Sequence, residues 1–123
     1  MTEDKPYKIK MENREGYLYA FVGGGMLTPE ISCRYWDEIA DECKKLVKTK
    51  IMIEKDFSES VSAPEMLEMG VYLGKILASK KIAFLDLHGN AEINELGKTI
   101  ARQQGVQMKV FDNVNDAEKW LII

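Results

Sequence analysis

The first stretch of the chain, Tyr7 to Met11, alternates polar and apolar residues with period two, and Gly16 to Val22 is rich in aromatic and β-branched types. Asn13-Arg14-Glu15-Gly16 supplies turn chemistry between them, so the two runs are expected to form a β-hairpin. Gly23-Gly24-Gly25 is expected to break the second strand. Thr28-Pro29-Glu30 then opens a helix, with Thr28 as cap and Pro29 at the first helical position, where a missing N–H costs nothing. Ile31, Tyr35, Ile39, Cys43 and Leu46 make one apolar stripe, with Trp36, Ala40 and Val47 alongside, and the helix should run to about Val47.

Lys50-Ile51-Met52-Ile53-Glu54 suits a short internal strand, followed by a loop from Asp56 to Val61. Ser62-Ala63-Pro64-Glu65 reads as a capping box, in which Ser62 and Glu65 each satisfy an unpaired N–H. The helix it starts continues through Leu67, Val71, Leu73 and Leu77, with Gly70 and Gly74 allowing a neighbour to approach closely. Lys81 to Leu87 is nearly continuous in apolar residues, as a buried parallel strand requires. Asn90 is expected to cap a third helix with Ile93, Leu96, Ile100 and Ala101 inward and Gly105 as its stop. Val106 to Phe111 reads as a last strand, and Asn113 or Asn115 as the cap of a short final helix. The order is ββαβαβαβα, which predicts a single α/β domain over residues 1–123: a mixed, mostly parallel five-stranded sheet with four helices.

Composition narrows function without naming it. The chain has 123 residues with a net charge of -3. That balance lacks the concentrated positive charge that nucleic acid or an anionic membrane surface demands. Met1 to Lys10 carries charges and a proline but no apolar leader segment, and no window is long and apolar enough to cross a bilayer. Cys33 and Cys43 on one helix would lie about 15 Å apart along the axis, too far to pair, and unpaired thiols fit a reducing cytoplasm. With one histidine in the sequence, a Cys/His zinc site is not expected, and no cofactor is implied.

The opening hairpin, the strand Lys81–Leu87 and above all the ending Val110-Phe111-Asp112 … Ala117-Glu118-Lys119-Trp120-Leu121 carry a family likeness. The chain resembles the STAS fold of SpoIIAA-type anti-sigma-factor antagonists and sulfate-transporter cytoplasmic domains, and more closely the small bacterial SpoIIAA-like proteins. The resemblance implies a cytoplasmic regulatory domain that works by binding a protein partner. Antagonists of that type carry a D-S-x-G-like site at the start of the second helix, whose serine is phosphorylated. Here the corresponding stretch runs from Asp56 to Glu65; no glycine follows its serines and no aspartate directly precedes one. Ser58, Ser60 and Ser62 are the candidate phosphorylation sites, set against a solvated loop and a helix cap.

Ligands in open α/β sheets tend to sit beyond the carboxyl ends of the strands. There the sequence is expected to place Asp56, Ser58, Ser60 and Ser62, and, from a second loop, Asp86, His88 and Asn90. These residues are the candidate surface for a regulatory protein or a small ligand. A hydrolase or transferase using Asp56, Ser58, Asp86 and His88 is the competing reading, although no G-x-S-x-G elbow is present. Asp86 and Asn90 could equally do no more than brace a turn. Gly23-Gly24-Gly25 matches no phosphate-binding pattern. Met66 and Met69 suit core filling or an adaptable binding edge. A homodimer through a helix face or the hairpin edge is a third reading.

Overall fold

A computed structural model describes residues 5–123, and the reading of Met1 to Lys10 as lacking an apolar leader falls in part on residues 1–4, outside them. Strands β1 (Lys8–Arg14) and β2 (Tyr17–Met26) form the expected antiparallel hairpin, turning at Gly16 with φ +88°. Then follow α1 (Pro29–Leu46), β3 (Lys50–Glu59), α2 (Ala63–Leu77), β4 (Lys81–Asp86), α3 (Ala91–Gln103), β5 (Gln107–Phe111) and α4 (Val114–Leu121). The element order ββαβαβαβα is therefore as read from the sequence. The sheet order is β1-β2-β3-β4-β5, parallel from β2 onward.

Alternation along the strands sorts two apolar layers. Leu18, Ala20, Val22, Ile51, Ile53, Phe57, Ile82 and Phe84 face α1, α2 and α3 in the larger core, which also takes in Tyr35, Trp36 and Leu73. Tyr17, Tyr19, Met52, Ala83 and Leu85 face the other way, where Ala117 and Leu121 of α4 cover them. The C-terminal helix is fastened there by Tyr17, whose hydroxyl donates to Glu118 at 2.7 Å, and by Lys81, whose ammonium donates to the Trp120 carbonyl at 2.6 Å.

Sequential strands stand side by side with α1–α3 on one face, so the strand order never reverses. The cleft that doubly wound sheets open at such a reversal is missing here.

Several local expectations need correcting. Gly23-Gly24-Gly25 does not end β2, which runs on to Met26, because β3 pairs alongside it and holds it extended. A Cβ at Gly23 would stand 2.8 Å from the Asp56 carbonyl oxygen, so the glycine serves close strand approach. For the same reason Asp56 and Ser58 lie on β3 rather than in a loop. Val47 is no part of the apolar face: it closes α1 in a left-handed conformation, φ 54°, with its side chain exposed. Asn90 makes no side-chain cap; its amide is drawn to Asp86. Thr28, the Ser62–Glu65 box and Asn113 cap their helices as expected.

Candidate functional site

At the carboxyl end of β3 and β4 the polar candidates separate into distinct environments. His88 and Asp56 meet on the surface, Nε2 lying 2.5 Å from Oδ1, with both side chains near two-fifths exposed. In the tautomer that carries its proton on Nε2, His88 donates to Asp56 Oδ1. Asp86 sits behind this pair and gathers the turn around itself: Oδ1 accepts from the His88 backbone N–H at 2.9 Å, and Oδ2 accepts from Asn90 at 3.1 Å and Asn94 at 2.8 Å. The brace role expected of Asp86 and Asn90 is thus present.

The serines do not join this cluster. Ser58 donates to the Gly25 carbonyl at 2.9 Å, tying β3 to the end of β2. Ser62 is occupied by the capping box, its backbone N–H and hydroxyl both donating to Glu65 Oε1. The hydroxyl oxygen of Ser60 is buried and has no hydrogen-bond partner among the described residues. None of the three is hydrogen-bonded to His88, so the Ser–His–Asp relay needed by the hydrolase reading is not assembled.

Sequence reasoning missed Lys55 and Asn94. Lys55 is only 2% exposed, pairs in register with Asp86 on the adjacent strand, and holds its Nζ 4.0 Å from Asp86 Oδ2 and 5.3 Å from the centre of the Phe84 ring. Burial pushes its ammonium below the ordinary lysine range, while the Asp86 charge pulls the other way. Burial pushes the Asp86 carboxyl up, but bonds from Asn94, the His88 N–H and Asn90, with the Lys55 charge, outweigh it and hold the group below the usual carboxylate range. Asn94 is equally enclosed, and its Oδ1 has no hydrogen-bond partner among the described residues. A period-two signal was available: Ile51, Ile53, Lys55 and Phe57 share one strand face, so an inward Ile53 and Phe57 require an inward Lys55.

Lys55 and Asn94 both line a cavity of about 40 Å³ between the sheet and α1, α2 and α3. Ser32 is its other buried polar neighbour. The remaining wall is mainly apolar, built from Trp36, Met66, Met69, Leu73, Phe84 and Met108. Met66 and Met69, expected as core or as an adaptable edge, therefore pack in the core and border this space. Among the described residues no group of three His, Cys, Asp or Glu could hold a metal ion. No described helix is long and apolar enough to cross a membrane. No family model matches the chain, and no curated protein matches it.

Proposed function

We propose that the chain is a small cytoplasmic SpoIIAA-like, STAS-like regulatory domain that works by binding a small ligand rather than by catalysis. One observation carries the reading: Asp86 connects an exposed polar cluster, His88 with Asp56 and Asn90, to the buried Lys55 and Asn94 that border a cavity. A ligand that disturbs Lys55 would act on Asp86, and through it on the surface turn. The monotonic strand order and the packing of Ala117 and Leu121 on the opposite face support the family likeness.

A regulatory protein is the second reading, favoured by large apolar side chains left exposed at the same end of the sheet: Met26, Leu67 and Leu87, each more than half exposed. On this reading the protein would cover the rim that holds Asp56, Ser58 and His88, with Ser58 and Ser62 as its phosphorylation sites.

Native mass spectrometry of the natively purified chain tests the leading reading. A species above 14.0 kDa that loses its extra mass on denaturation, and is missing from Lys55→Met, is the expected result. Turnover of ester, phosphate or thioester substrates that disappears in His88→Ala would overturn it in favour of a hydrolase.

A further inference from the structure

Three features of the cavity specify what it takes, given the ligand-binding reading above, on which this inference rests. The first is an orphaned acceptor. Asn94 is 4% exposed, and its Oδ1 is buried without a partner among the described residues while its amide nitrogen donates to Asp86. A buried acceptor left this way costs free energy that an incoming donor recovers. The second is a donor with capacity to spare. Lys55 Nζ stands 4.0 Å from Asp86 Oδ2, beyond direct hydrogen-bonding distance, so its protons can reach another acceptor. Asn94 Nδ2 and Lys55 Nζ both approach Asp86 Oδ2, and both residues line the same small cavity, so one small polar head can reach the two side chains together.

The third feature is charge and wall chemistry. Lys55 and Asp86 already cancel one another. An anionic head would compete with Asp86 for the ammonium, and a cationic head would stand against it. Beyond the polar corner the wall is mainly Trp36, Met66, Met69, Leu73 and Met108; Lys98 also lines it, its charge met by Glu95 at 2.6 Å. A water needs roughly 10–15 Å³. One water could satisfy the corner of a cavity of about 40 Å³ but would leave the apolar remainder empty.

We propose that this cavity binds a small, electrically neutral organic molecule with a hydroxyl head on a short apolar body. The head oxygen accepts from Lys55 Nζ, its O–H donates to Asn94 Oδ1, and the body lies among the methionines. Met66 and Met69 are unbranched and adaptable, so the wall enlarges for a longer body by rotating side chains.

Titration of the methionine-methyl-labelled chain with 1-butanol, butanoate and butylamine, followed by NMR, tests this. Saturable shifts of the Met66 and Met69 methyls with 1-butanol are expected, with butanoate and butylamine at least tenfold weaker. Asn94→Leu should weaken 1-butanol about fivefold or more through the lost hydrogen bond. Should that variant not fold, Leu73→Phe, which narrows the space and keeps every polar group, should give the same loss. Butanoate or butylamine binding as tightly as 1-butanol would overturn the neutral class and leave the ligand-binding reading standing. No saturable shift with any of the three would overturn the cavity as a site, whatever copurifies with the native chain.

Discussion

Lys55 and Asp86 are register partners on adjacent parallel strands, and their charges face one another at 4.0 Å with both side chains almost sealed from solvent. The two are supported unequally. Asp86 keeps three N–H donors besides the lysine, whereas the only charge partner of Lys55 among the described residues is Asp86.

That inequality predicts unequal variants. Asp86→Asn should cost about 3–5 kcal/mol, because it strands a buried ammonium. Lys55→Met removes the ammonium itself and leaves Asp86 hydrogen-bonded, so its loss should be clearly smaller. The double variant should resemble Lys55→Met more than the sum of the two. Urea denaturation of the four proteins checks this; equal single losses would contradict it.

Acid should expose the same arrangement. A carboxyl held below its unfolded value contributes stability that is complete above the ordinary carboxylate range, near pH 4, and is lost as pH falls through the folded value. Asp86 is such a group. So is Glu38, where burial pushes upward but bonds from Lys5 and Tyr7 prevail. Stability should therefore drop below about pH 4, and Asp86→Asn should have a shallower acid limb than the parent, measured as denaturation midpoint against pH.

The Ser62 hydroxyl accepts from the Glu65 N–H at 3.4 Å while Glu65 reaches back to the Ser62 N–H at 2.9 Å. Ser62→Ala should cost about 1 kcal/mol, read as a lowered melting temperature. Ser58→Ala, which removes one bond to the Gly25 carbonyl at an exposed position, should cost less.

Val47 should be improvable. A β-branched residue at φ 54° is strained, and its exposed side chain adds no packing to offset the strain. Val47→Gly should stabilise the chain by roughly 0.5–1.5 kcal/mol. A fall in melting temperature would mean the left-handed conformation is not held in solution.

The elements were legible because their signals are local: period two before Gly16, an apolar stripe from Ile31, cap chemistry at Thr28 and Ser62. The extent of β3 was not, because Asp56 and Ser58 have polar side chains and are held in the strand by neighbours distant in sequence. Asn90 carried the right residue type for a cap, yet a carboxylate four residues earlier, at Asp86, took its amide instead. The surface candidates His88 and Asp56 came together as the carboxyl-end rule anticipates. The inner half of the site did not, since a lysine in a strand and an asparagine in an amphipathic helix look solvated until the opposing faces close over them.

The glycines of α2 and α3 have a bearing on how fast any occupant could come and go. A Cβ at Gly70 would stand 2.5 Å from Ile100 Cγ2, and one at Gly97 would stand 2.7 Å from the Met66 sulfur. The two helices therefore meet backbone against side chain at both contacts, and neither glycine can take a larger residue unless its neighbour shifts. Met66 lies against Gly97 and lines the cavity, so entry past this side requires its rotation. Rotation of an exposed side chain takes picoseconds to nanoseconds, but Met66 is buried in the core and turns more slowly. Exchange of a small guest would then be paced by how often that buried thioether turns aside, a slower gate than any surface side chain.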